Sequence, residues 1–205
     1  MYALVEDGSI SKLITNPKSM VIGDVRYPAK IFQLWSTSEL EAIGIYEVVF
    51  NNSNKKDEKW YINTNQSFAF ADDVVTASYG TATPKAHADT LWTAQDETDG
   101  KGTEGEVATR GLKYNLIQTL KSQVAEILSD TDWYITRNAE KSTAIPSAIS
   151  THRDAVRTKQ ASMETAITNA SDTPALETLY TYVNTGTKTN PVIERPLGEL
   201  PTLES

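Results

Sequence analysis

The chain has 205 residues, a formal charge of −8 and no cysteine. Disulfides, thiolate catalysis and cysteine-built zinc sites are therefore excluded. With no run of Lys and Arg, the acidic balance argues against wholesale binding to nucleic acid or to anionic lipid. The length suits one large domain or two small ones, and a hydrophobic content of 39% allows a core that is thin for that length. No apolar run is long enough to span a bilayer. The opening "MYALVEDGSI" lacks the basic-then-apolar pattern of a signal peptide, so a soluble protein made without export is expected.

Residues 1–83 read as a β-rich domain. "YALVEDGSISKLI" is two apolar-alternating runs around Asp7-Gly8, a hairpin signal because such a turn needs positive φ. "AKIFQLW" (29–35) and "GIYEVVF" (44–50) are strand-like in composition. Between them, Ser36 and Glu39 have capping-box spacing and Gly44 supplies a left-handed stop, which predicts one short helix. "KWYIN", "SFAFA" and "VVTASY" add three strand candidates. A small twisted antiparallel sheet carrying one short helix accounts for all of these.

Residues 84–110 change character: few apolar residues, several acids, and Gly100, Gly102 and Gly105. They read as an acidic linker with Leu91 and Trp92 as docking points. From Gly111 the period turns helical. Leu112, Leu116, Leu120, Val124, Ile127 and Leu128 form one amphipathic stripe, ending near Ser129. A second helix starts at Pro146, with Ile149, His152, Val156, Gln160, Met163 and Ile167 on its inner face. Thr173-Pro174 signals a third, shorter helix with Leu176, Leu179, Tyr180 and Val183 as its stripe. Residues 111–186 are thus a helical hairpin domain. The tail 187–205, with Pro191, Pro196 and Pro201, is expected to be extended and ordered by a neighbouring chain. The fold class is α+β.

The stretch from Leu128 to Lys159 holds the candidate site. Asp130, Asp132 and Trp133 follow the first long helix, and Arg153 and Arg157 sit four apart on the next. Acids past a helix C-terminus oppose the macrodipole unless a cation compensates. Arg137, or Arg153 and Arg157, is the expected source of that cation, and Trp133 is expected to plug the open end of the hairpin. Asp130 and Asp132 also fit the carboxylate pair of a glycosidase in number, but nothing else suggests a sugar cleft. The acids at 96, 97, 99, 104 and 106 fall off the register of a calcium loop and read as a solvated face. His152 lies on a helical stripe and reads as a semi-buried core residue. No G-x-S-x-G, GxxxxGK[ST] or GxGxxG motif occurs, so no cofactor or metal is expected.

The segment from Leu91 to Ile167 resembles tail-fibre-assembly and tail-assembly-chaperone-like proteins of tailed bacteriophages. The shared pattern is a helix ending in Leu-x-x-[ST]-Asp-Trp, a loop, and a helix with [Tyr/His]-Arg-x-x-[LV]-Arg. In this chain these are Leu128, Thr131, Asp132 and Trp133, then His152, Arg153, Val156 and Arg157. "MYALVEDGSISK" is also similar to the start of many small phage tail proteins. Where family members often end in Trp-Pro, this chain has "RPLGELP". The resemblance implies a non-enzymatic structural or adaptor protein of the phage tail or baseplate. Its partners would be other tail or fibre proteins in a multi-subunit assembly, and it would be made in the host cytoplasm and kept in the virion. A transient fibre-assembly chaperone is the alternative, and a glycan-acting enzyme a third reading.

Overall fold

The computed structural model describes residues 1–64 and 66–203. Two units are present, Met1–Thr83 and Pro84–Ser205, and the chain is α+β.

In the first unit β1 (Tyr2–Glu6) and β2 (Ser9–Ile14) form the hairpin that Asp7-Gly8 announces, with φ of 51° and 73° at the two turn residues. The register slips between Leu4 and Val5. The extra residue on β2 is Ser11, whose hydroxyl donates to the Leu4 carbonyl at 3.2 Å. A second hairpin, β3 (Met20–Ile22) with β4 (Val25–Tyr27), turns at Gly23, φ 56°; its "VIGDVRY" alternation went unread in the sequence.

Residues 29–35 are not a strand. Ile31–Leu34 forms one helical turn, α1, which buries Ile31 and lays Phe32 against Tyr2 at 5.1 Å between ring centroids. Packing overrides the β-propensity of these residues. Next, α2 (Thr37–Glu41) has the capping box at Ser36 and Glu39 and stops at Gly44, φ 80°.

β5 (Ile45–Asn51) pairs antiparallel with β1 through its first half and parallel with β8 (Val74–Ser78) through its second. Between them in sequence come β6 (Tyr61–Ile62) and β7 (Ser67–Ala71), and β7 turns back into β8 through Asp72 and Asp73, both at positive φ. The order β2-β1-β5-β8-β7 corrects the expected all-antiparallel sheet. The long 52–66 connection carries the chain past one strand position, and β8 returns into the gap running parallel to β5. The edge strands β2 and β7 approach each other, so the sheet curls. β9 (Thr83–Pro84) pairs with β6.

Alternation along the strands divides the core. Leu4, Ile14 and Ile45 pack with Ile31 and Leu40 of the helical turns. On the opposite face Ala3, Val48, Val75 and Ala77 meet Tyr46, Phe68 and Phe70 inside the curl.

In the second unit the stretch 84–110, expected as a linker, is structured. β10 (Thr90–Leu91) pairs with β11 (Val107–Thr109) around α3 (Ala94–Thr98). Four longer helices follow: α4 (Leu112–Ser129), α5 (Asp132–Lys141), α6 (Ser147–Asn169) and α7 (Thr173–Tyr180). α4 packs along α6. α5 forms where the sequence pattern predicts a loop between two helices. Asp172, not Thr173, caps α7, since its carboxylate accepts from Ala175 N–H at 2.8 Å. Val183 is not helical: β12 (Val183–Asn184) pairs with β13 (Ile193–Glu194).

The tail folds back on its own unit, a correction to the expectation that a neighbour orders it. Leu197 is buried and its N–H donates to the Leu179 carbonyl, while Arg195 bonds Glu199 at 2.7 Å. Glu204 and Ser205 lie outside the described residues.

Ile45 is fully buried, so Ile45→Ala should lower the stability of the first unit by about 2–5 kcal/mol through lost transfer energy and a residual cavity. Urea unfolding of the full chain, followed by Tyr and Trp fluorescence, checks it.

Candidate functional site

The site is built where three helices meet. α4 ends at Ser129, and its last carbonyls need donors. The Leu128 carbonyl receives the Thr131 N–H at 3.1 Å, the Thr131 hydroxyl at 3.0 Å and Arg153 Nη1 at 2.7 Å. The same Nη1 donates to Thr131 Oγ1 at 2.6 Å, and Nη2 donates to Asp132 Oδ1 at 2.8 Å. Arg153 comes from α6, six residues in from its start, and is only 6% exposed. A cation at the C-terminus of α4 is favoured by the macrodipole, and Asp132, in the first turn of α5, is favoured by the dipole there. One guanidinium therefore ties α4, α5 and α6 together. Its Nε is buried without an acceptor, which sets a cost of about 1–3 kcal/mol against those bonds.

The residues singled out in the sequence separate into different roles. Asp132 and Arg153 form the bracket. Arg157 stands apart, facing Asp154 of its own helix at 3.7 Å on the surface. Asp130 is the C-cap of α4 and makes no ion pair among the described residues. It lines a cleft of about 270 Å³ with Ile127, Thr131, His152 and the tail residues Pro201, Thr202 and Leu203. His152 is buried, as its place on the stripe suggested.

Trp133 does not plug the hairpin: it is 51% exposed. The missed helix α5 is the reason, because starting a helix at Asp132 turns the next side chain away from the α4–α6 seam. Its ring lies against Tyr134, centroids 3.8 Å apart. The guanidinium of Arg137, one turn on, sits 4.6 Å from the Trp133 centroid and 5.5 Å from that of Tyr134. Arg137, named as a possible counter-ion for the acids, does not serve as one, since Arg153 fills that role; Tyr134 was not singled out. The signal was present, since an (i, i+4) Trp–Arg pair needs only the assumption that the segment is helical.

Two of the five acids at 96–106 are ion-paired within the chain. Lys101 Nζ sits 3.1 Å from Asp96 and 3.0 Å from Asp99, and the Asp96 carboxylate also accepts from the Thr93 hydroxyl and N–H in a capping box. These bonds, the Thr93 hydroxyl first, hold the Asp96 carboxyl down to about 2. Among the described residues, no group of three or more His, Asp or Glu gathers in a form able to hold a metal ion.

No protein-family model, curated protein or solved structure matches the chain.

Arg153→Ala should destabilise the helical unit by about 2–4 kcal/mol, because it strips the Leu128 carbonyl and Thr131 of a buried partner. Trp133→Ala should remove less than about 1 kcal/mol, as expected of a half-exposed side chain. Urea unfolding followed by far-UV circular dichroism separates the two; a larger loss for Trp133→Ala than for Arg153→Ala would mean that the ring, not the guanidinium, holds the corner.

Asp96 gives a pH prediction. Its folded pKa is depressed from 3.8 to about 2, so its capping contribution is complete above 3.8 and is lost as pH falls through about 2. A carboxylate-detected NMR titration should place the Asp96 midpoint near the lower value.

Proposed function

We propose that the chain is a non-enzymatic structural or adaptor protein of a bacteriophage tail or baseplate, holding other tail or fibre proteins through protein–protein contacts. The resemblance over Leu91 to Ile167 supports the setting. One observation carries the contact role: within the resembling element, Asp132 and Arg153 are tied up in holding helices together, whereas Trp133 is half exposed. A carboxylate engaged by a buried arginine is poorly suited to acid–base work on a sugar, and an exposed Trp beside Tyr and Arg has the composition of an interface anchor. In this reading the β unit makes one contact and the helical unit another. Quantitative mass spectrometry of purified phage particles is the test, and a copy number matching a tail ring or fibre set is expected. Absence from particles, with co-purification of unassembled fibre protein from infected cells, would replace this reading with an assembly chaperone.

A further inference from the structure

We infer that the Trp133–Tyr134–Arg137 surface of α5 takes an acidic segment of a partner protein, with one carboxylate on Arg137 and a neighbouring apolar or proline side chain on the Trp133 ring. The inference deepens the adaptor reading and rests on it for the partner being a protein. α5 is anchored at its first residue by Arg153, yet none of its residues is fully buried. What it presents beside Trp133 is a half-buried tyrosine.

The chemistry of the occupant follows from Arg137. Two aromatic faces hold its guanidinium, and among the described residues no carboxylate pairs with it; its Nε is buried and has no acceptor. Stacking uses the faces of the guanidinium and burial closes off Nε, which leaves the Nη1 and Nη2 edge, whose fork matches a carboxylate. The acids of this unit that are ion-paired have other partners: Asp89 has Arg110, Asp96 and Asp99 have Lys101, Asp132 has Arg153, Asp154 has Arg157 and Glu199 has Arg195. Arg137 is thus a cation without a counter-ion in a chain of charge −8. A neutral saccharide would cover the rings and leave that charge unmatched. An acidic peptide supplies both the apolar cover and the acceptor.

The test is a titration of the full-length ¹⁵N-labelled chain, following the Trp133 indole N–H and the Arg137 Nε–H signals by NMR. The probes are acetyl-Leu-Pro-Glu-Leu-amide, the same peptide with Gln for Glu, and maltotriose. The Glu peptide should shift both signals and bind about five- to tenfold more tightly than the Gln peptide. Arg137→Gln should erase that difference with the helical circular dichroism unchanged. No response to either peptide, equal binding of the two, or a response to maltotriose alone overturns the proposal. Binding of the Glu peptide by a chain that is absent from phage particles would instead preserve this site and sink the adaptor reading.

Discussion

The helical unit depends on one buried guanidinium. Taking Arg153 out of water costs several kcal/mol unless acceptors replace the solvent. Three do: the Leu128 carbonyl at the negative end of α4, the Thr131 hydroxyl and the Asp132 carboxylate. These acceptors converge only if α4 stops at Ser129 and α5 starts at Asp132 while α6 lies alongside. The bond set therefore penalises other helix angles more than it adds net stability. Apolar stripes alone would allow α4 and α6 to slide by a turn; a fork with three fixed acceptors does not.

The opposite end of α4 is fixed by a different device. Gly111 offers no side-chain cap, so the Leu112 and Lys113 N–H groups donate to the carbonyls of Ala86 and His87. Asp89 accepts from Gly111 N–H at 2.8 Å and from Arg110 at 2.6 Å. This approach needs glycine, because a Cβ on Gly111 would fall 2.3 Å from the Ala88 backbone. The 84–110 stretch is thus part of the helical unit, capping α4 and, through the Lys85 carbonyl, accepting from Thr173 at the start of α7. Lys113 in turn reaches the Thr168 carbonyl near the end of α6. Both ends of α4 and the start of α7 are thus satisfied from within the unit. What it leaves outward is a helix bearing Trp133 and a hairpin bearing Tyr182, Val183, Val192 and Ile193.

The sequence by itself determined whatever is decided within about one helical turn or one tight turn. The Asp7-Gly8 hairpin, the Ser36–Glu39 box, the Gly44 stop and the stripes of α4 and α6 were legible because each rests on neighbours a few residues apart. Tertiary structure decided the rest. Ile31 and Phe32 became a helical turn because the sheet face they cover lies elsewhere in the sequence. β8 came to lie parallel to β5 because a long connection let the β7–β8 hairpin return into the gap. The linker-like stretch became a cap because the carbonyls it offers match donors on two helices, and Leu197 seated the tail on its own unit. The same limit governs the site. Composition placed Asp130, Asp132, Trp133, Arg153 and Arg157 in one neighbourhood, but only the three-helix geometry could select Arg153 over Arg157, or turn Trp133 outward. Hydrogen bonds between groups twenty or more residues apart depend on angles and distances that no local pattern encodes.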